Sequence, residues 1–137
     1  MSNAATLRRM FDLMDQRKLD AIRDMLAPNF VAVVGGNPPM DFDAWMGMSE
    51  MFFAAFPDGK HVIEEAIDIG TDRVVVRAYF EGTHKNTFMG VPATGNRVRA
   101  TFMNLDRFQG GKLAEHRVEA DFMGLMQQLE AVSTGQK

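Results

Sequence analysis

Between Arg73 and Asp121 the apolar residues fall on every second position. Val74, Val76, Ala78 and Phe80 alternate with Arg73, Val75, Arg77 and Tyr79; Val98, Ala100 and Phe102 alternate with Arg97, Arg99 and Thr101. A period of two describes a strand with one face against a core, and it is incompatible with a helix. In "QGGK", Gly110–Gly111 is a two-residue hairpin turn, so "RVRATFMNLDRF" and "LAEHRVEAD" run antiparallel. "KHVIEEAIDIG" is a preceding strand that turns at Gly70–Asp72, and "KNTFMGVPATGN" is a loop. The second half is therefore a meander that needs a cover on its apolar side.

The first half supplies that cover. "ATLRRMFDLMDQRK" sets Leu7, Met10, Phe11 and Met14 on one helical stripe, and "LDAIRDMLAP" repeats the pattern with Leu19, Ile22, Met25 and Leu26 until Pro28 ends it. "NFVAVVGG" is a short strand. "DFDAWMGMSEMFFAAFPDG" is a third helix, stopped by Pro57 and apolar nearly all round, hence expected to be well buried. "FMGLMQQLEAV" is a short final helix. Helices followed by an antiparallel meander make an α+β fold with helices on one face of a curved sheet, in one domain spanning 1–137.

Composition narrows the function. With 46% hydrophobic residues the chain can build a core, and a net charge of -3 gives no electrostatic reason for a nucleic-acid or membrane partner. No cysteine is present, which excludes disulfides and thiolate chemistry. No apolar run approaches the ~20 residues of a membrane span, and "MSNAATLRRMF" has no signal-peptide core, so a cytoplasmic location is expected. Twelve Met and eleven Phe suit either a lined cavity or a Met-rich core or dimer face.

With Gln109 paired to Lys112, the simplest register sets Asn104 opposite Arg117, Phe102 opposite Glu119 and Ala100 opposite Asp121. Val98, Ala100, Phe102, Asn104, Asp106 and Phe108 form the inward face. Arg117, Glu119 and Asp121 are then expected inward too, and a β-bulge would reverse that assignment. Asp121 has two readings, a desolvated acid–base carboxylate or the N-cap of the last helix on Met123 or Gly124. The other face, Ala114, His116, Val118 and Ala120 with Thr101, Met103 and Leu105, is mostly apolar. A homodimer through the sheet is expected to cover it.

The pattern argues against other chemistry. His61, His84 and His116 lie on separate elements without metal-ligand spacing. There is no phosphate loop and no Gly-x-Ser-x-Gly elbow, and Ser49 and Ser133 have no base nearby in the pattern. What remains is carboxylate acid–base chemistry on a carbon acid beside a carbonyl, with neither metal nor cofactor expected. Asn104, His84 or Arg117 would stabilise the oxyanion, with His84 also read as a cap on the loop from Lys85 to Asn96; Phe102, Phe80, Trp45 and Phe53 would shape the pocket, with Trp45 also read as a core residue.

The run from Phe56 to Leu129 resembles the SnoaL-like polyketide cyclases of the nuclear transport factor two-like superfamily. The pieces that carry it are "FPD", "DRVVVRAYFEGTH", "FMGVPATGNRV", and "GGKLAEHRVEAD" followed by "GLMQQL". The resemblance implies a conical, strongly curved, mostly antiparallel sheet, with three N-terminal helices on its concave face and a short C-terminal helix. It also implies a deep pocket and usually a dimer. In the characterised cyclases an aspartate at the end of this strand is the general acid/base of an intramolecular aldol ring closure, and the matching position is Asp121. Two departures stand out. Arg117 replaces a common Trp, and Ala78 stands where many members are bulky; together they imply a cationic, reshaped pocket and a substrate that differs, even an anionic one. Cofactor-free hydrolysis with Asp121 activating water, or small-molecule binding without catalysis, are the competing functions.

Overall fold

The computed structural model describes residues 2–135, with side chains through Glu130. Ser133 therefore lies outside the described side chains. The order is α1 (Asn3–Asp15), α2 (Leu19–Arg23), β1 (Leu26–Val34), α3 (Phe42–Ala55), β2 (Lys60–Ile69), β3 (Arg73–Thr83), β4 (Arg97–Gln109), β5 (Lys112–Ala120) and α4 (Phe122–Gly135). The strands form one sheet in the order β1-β5-β4-β3-β2. All neighbours are antiparallel except β1 and β5, which run parallel.

The alternation in β3 and β4 is obeyed residue by residue. Val74, Val76, Ala78 and Phe80 are buried, as are Val98, Ala100, Phe102, Asn104, Asp106 and Phe108. Onto this face pack the α1 stripe (Leu7, Met10, Phe11, Met14) and Trp45, Met46 and Phe53 of α3, making one apolar core. Each such side chain, fully buried, contributes about 1.5–3 kcal/mol relative to exposure. The α3 helix is less buried than its composition suggests: Asp43, Ala44, Gly47, Glu50, Met51 and Ala54 form an exposed stripe.

The hairpin turn is where the sequence places it. Gly110 and Gly111 both have positive φ, 58° and 80°, the left-handed pair that a tight two-residue turn requires. The register beyond it differs from the simplest count. Phe108 faces Leu113, but Arg107 faces Glu115, so Ala114 is an extra residue on β5. Leu113 and Ala114 are consecutive apolar residues, and the bulge buries both. It then turns His116, Val118 and Ala120 toward the core and sends Arg117 and Glu119 out to solvent. The unbulged register would turn Glu115, Arg117, Glu119 and Asp121 inward, and the bulge avoids the cost of desolvating them.

The second helix is also shorter than its apolar spacing predicts. It ends at Arg23, and the chain is already extended by Leu26. Pro28 lies inside β1, not at a helix terminus. Pairing with β5 jumps from Leu26–Leu113 to Val31–Glu115, and the segment that loops out contains Pro28, which has no N–H to give to a ladder.

Two details position the cavity described below. Arg17, two residues past the end of α1, lies in the left-handed region, φ 63°. Its guanidinium donates to the carbonyls of Pro57 and Gly59 and stacks 3.6 Å over the Phe53 ring. Gly59 has no space for a side chain, because a Cβ would overlap the Phe80 ring and come within 2.8 Å of the Phe56 carbonyl. The α1 terminus is thereby held against the start of β2.

Candidate active site

Asp106 sits on the inward face of β4 directly across from His116 of β5. Its Oδ1 lies 2.6 Å from His116 Nδ1. The Asp106 side chain is 0% exposed and that of His116 only 4%, and among the described residues the imidazole is the hydrogen-bond partner of the carboxylate. With Nδ1 engaged, Nε2 on the opposite edge of the ring is the nitrogen available to a guest. Trp45 packs on this imidazole at 5.0 Å between centroids.

A second pair has the same form. Asp15, the last residue of α1, accepts the backbone N–H of His61 at 3.0 Å and lies 2.7 Å from His61 Nδ1. The Arg17 clamp on Pro57 and Gly59 brings His61 to this carboxylate. The two imidazoles share a neighbour, Phe11, whose ring centroid is 5.0 Å from His61 and 6.3 Å from His116.

Both histidines line one half-open cavity of about 100 Å³. Its wall is otherwise almost wholly apolar, with Phe11, Phe52, Phe53, Phe80, Phe102 and Trp45 as the main surfaces. Ser49 also lines it, but its hydroxyl donates to the Trp45 carbonyl at 3.2 Å. Imidazole in a water-poor aromatic cup is suited to moving protons to and from carbon or a carbonyl oxygen.

Of the residues expected from the sequence to bind substrate, Trp45, Phe53, Phe80 and Phe102 line this cavity. Asn104 is buried beside Asp106 on the same face without lining it. Among the described residues neither of its polar atoms, nor Asp106 Oδ2, has a hydrogen-bond partner. His84 is buried outside the cavity, with Nδ1 3.0 Å from Thr94 Oγ1 and accepting the Thr94 N–H at 3.2 Å, so it ties down the loop before β4. Arg117 and Glu119 are corrected by the bulge. Arg117 pairs outside with Glu115 at 3.1 Å, and the cavity is not cationic. Asp121 is likewise exposed rather than inward. Its Oδ1 accepts the Gly124 N–H at 2.9 Å, which is the N-cap geometry at the start of α4. Ala78 is buried within the core.

The residues that the sequence reading missed are Asp15, His61, Asp106 and His116. A signal existed for one of them: Asp106 falls in phase with the apolar face of β4, and a buried carboxylate demands a partner. Among the described residues no group of three His, Cys, Asp or Glu is placed to hold a metal ion, and no helix is long and apolar enough to cross a membrane.

Residues 4–129 match the family model for the SnoaL-like polyketide cyclases. The chain belongs to this family. Among curated relatives, the aklanonic acid methyl ester cyclase DnrD of Streptomyces peucetius is 25% identical over 126 residues, covering 90% of this chain and 87% of DnrD. Among solved structures, the SnoaL-like chain is similar to IdmH of Streptomyces antibioticus, a candidate polyketide cyclase. That likeness has a TM-score of 0.84 and 28% identity, over 94% of this chain and 99% of IdmH. AclR of Streptomyces galilaeus, a candidate hydroxylase, has a TM-score of 0.83 at 27% identity, over 93% and 94% of the two chains. The cone-shaped α+β scaffold is thus common to proteins named for different reactions, and the reaction has to be argued from the site.

Proposed function

We propose that this SnoaL-like protein is a cofactor-independent cyclase that closes a ring by intramolecular aldol addition. The observation that carries the reading is the sealed Asp106–His116 pair on the wall of an aromatic cavity. Neutral His116 takes a proton from the carbon beside a carbonyl through Nε2. Asp106 fixes the tautomer and stabilises the imidazolium that forms. The enolate carbon then bonds to a second carbonyl carbon of the same molecule, and the resulting alkoxide is protonated. This reading moves the acid–base role from Asp121 to His116, because Asp121 is engaged as a cap in solvent.

The cavity, about 100 Å³, is small beside the roughly 300–1,000 Å³ of ordinary ligand clefts. It supports a substrate that inserts only its reacting, largely apolar carbonyl end. The same size also favours a second reading, a small-molecule binder without catalysis.

One experiment separates the two. In deuterium oxide, wild-type protein is expected to exchange the α-hydrogens of 2,6-heptanedione and to close it to the cyclic ketol, followed by NMR. His116→Gln is expected to lose both activities by ~10²–10⁴-fold. A His116→Gln protein that exchanges at the wild-type rate sinks the cyclase mechanism proposed here.

A further inference from the structure

Ring closure moves two protons, one off carbon and one onto oxygen, and His116 accounts only for the first. Among the described residues lining the cavity, the polar side chains are Trp45, Ser49, His61 and His116. The indole N–H of Trp45 donates hydrogen bonds but does not ionise, and the Ser49 hydroxyl is engaged by the Trp45 carbonyl. Beside His116, which holds a proton only after it has acted as the base, His61 is the group able to release one to the oxygen as the carbon–carbon bond forms. It is built for the task in the way His116 is, with a carboxylate on Nδ1 and the residue in the cavity wall, which leaves Nε2 for a guest. Its position differs in one respect. The His61 and Asp15 side chains keep 13% and 21% of their surface exposed, against 4% and 0% for His116 and Asp106. A proton spent by His61 is replaced directly from solvent, whereas His116 exchanges through the half-open mouth of the cavity.

We propose that His61, held by Asp15, is a second catalytic residue of the cavity, the general acid that protonates the carbonyl oxygen under attack while His116 removes the carbon-bound proton. The inference rests on the cyclase reading above. In the step, the Cα–H bond breaks and its proton goes to His116 Nε2. A carbon–carbon bond forms, the second carbonyl's π pair moves to oxygen, and that oxygen takes the proton from His61 Nε2. The product is an isomer of the substrate. His116 leaves the step protonated and His61 neutral, and proton exchange with solvent restores both.

The pairing predicts that exchange and closure come apart. Exchange at the α-carbon needs a base, and closure needs base and acid together. With 2,6-heptanedione in deuterium oxide, His61→Gln is expected to retain α-hydrogen exchange within about threefold of wild type while ring closure falls by ~10²-fold or more. His61→Asn is made alongside it, since its shorter amide still reaches Asp15 and preserves the β2 contact; circular dichroism and thermal melts confirm that each variant is folded. Wild-type closure in either folded His61 variant overturns the proposal and leaves the His116 mechanism standing. Equal loss of exchange and closure also overturns it, because His61 would then be the base or a structural support. Wild-type exchange in His116→Gln removes the parent reading instead, and a wild-type protein inert toward the diketone removes both.

Discussion

Asp106 Oδ1 lies 2.6 Å from Nδ1 of His116, and no part of the Asp106 side chain meets solvent. A buried charge held by one partner is costly to keep and weakly stabilising at best. Its presence in a core built mainly from apolar side chains argues for a use other than stability.

That argument predicts a split between stability and activity. Asp106→Asn removes the buried charge but keeps the volume. The melting temperature is expected to stay level or rise, while turnover falls by ~10²–10⁴-fold because the imidazolium loses its counter-charge and the ring its tautomer. Thermal melts and initial rates on one preparation check both halves. A variant that melts lower and turns over normally reverses the assignment.

Asp121 is predicted to behave in the opposite way. It caps α4 through the Gly124 N–H and is exposed. Asp121→Ala is expected to cost about 1 kcal/mol of folding stability, read by urea unfolding, with little change in turnover. Asp121→Asn keeps an acceptor for the cap and is expected to be silent in both. Loss of turnover in folded Asp121→Asn would restore this residue as the acid–base group.

These residues show which parts of the molecule the sequence makes legible. The alternation in β3 and β4, the Gly110–Gly111 turn and the α1 stripe are local patterns, and the structure follows each. The inward set on β5 is not local. It depends on one inserted residue, Ala114, and a single-residue slip exchanges every side chain beyond it between faces. The bulge is foreshadowed only by the adjacency of Leu113 and Ala114, two apolar residues where alternation allows one. His61 and Asp15 are harder still. They are brought together by the Arg17 clamp between the α1 terminus and the turn before β2, and no periodicity reports a contact of that kind. Pro28 misled for a related reason: it reads as a helix stop, whereas it marks the looped-out part of a strand.

Acid stability provides a test of the turn that leads into β2. Asp58 accepts the Thr83 N–H at 2.7 Å and the Thr83 hydroxyl at 2.8 Å, with Arg97 at 3.1 Å. The backbone bond from Thr83 is the largest influence, joined by the hydroxyl and the guanidinium. Together they outweigh burial and hold the carboxyl below its ordinary 3.8. A folded-state value below the unfolded one means that the stabilisation is complete above the unfolded pKa. It is lost as pH falls through the folded value. The gap in melting temperature between wild type and Asp58→Ala is therefore expected to be widest near neutrality and to narrow below about pH 4. A gap that is constant across this range would mean that the ionised carboxylate contributes nothing.

The outer face of the sheet carries the last prediction. Ile67, Val75 and Leu105 are successive cross-strand neighbours on β2, β3 and β4. Ile67 is 51% exposed and Leu105 40%, with Met103 and Ile69 similarly open. Paired charges frame this apolar row, Arg77 with Glu64 and Glu65 on one side and Arg117 with Glu115 on the other. The expected partner residues divide differently from the sequence reading. Thr101, Met103 and Leu105 do face outward, whereas Ala114, His116, Val118 and Ala120 face the core or the cavity. We propose that a second copy of the chain covers the row, since a two-fold axis sets the same patch against itself without a complementary surface elsewhere. Sedimentation at micromolar concentration is expected to give a dimer for wild type and a monomer for Leu105→Glu, with unchanged circular dichroism. A monomeric wild type would leave the exposed row without a partner of its own kind. A Leu105→Glu protein that still dimerises would move the interface to another face.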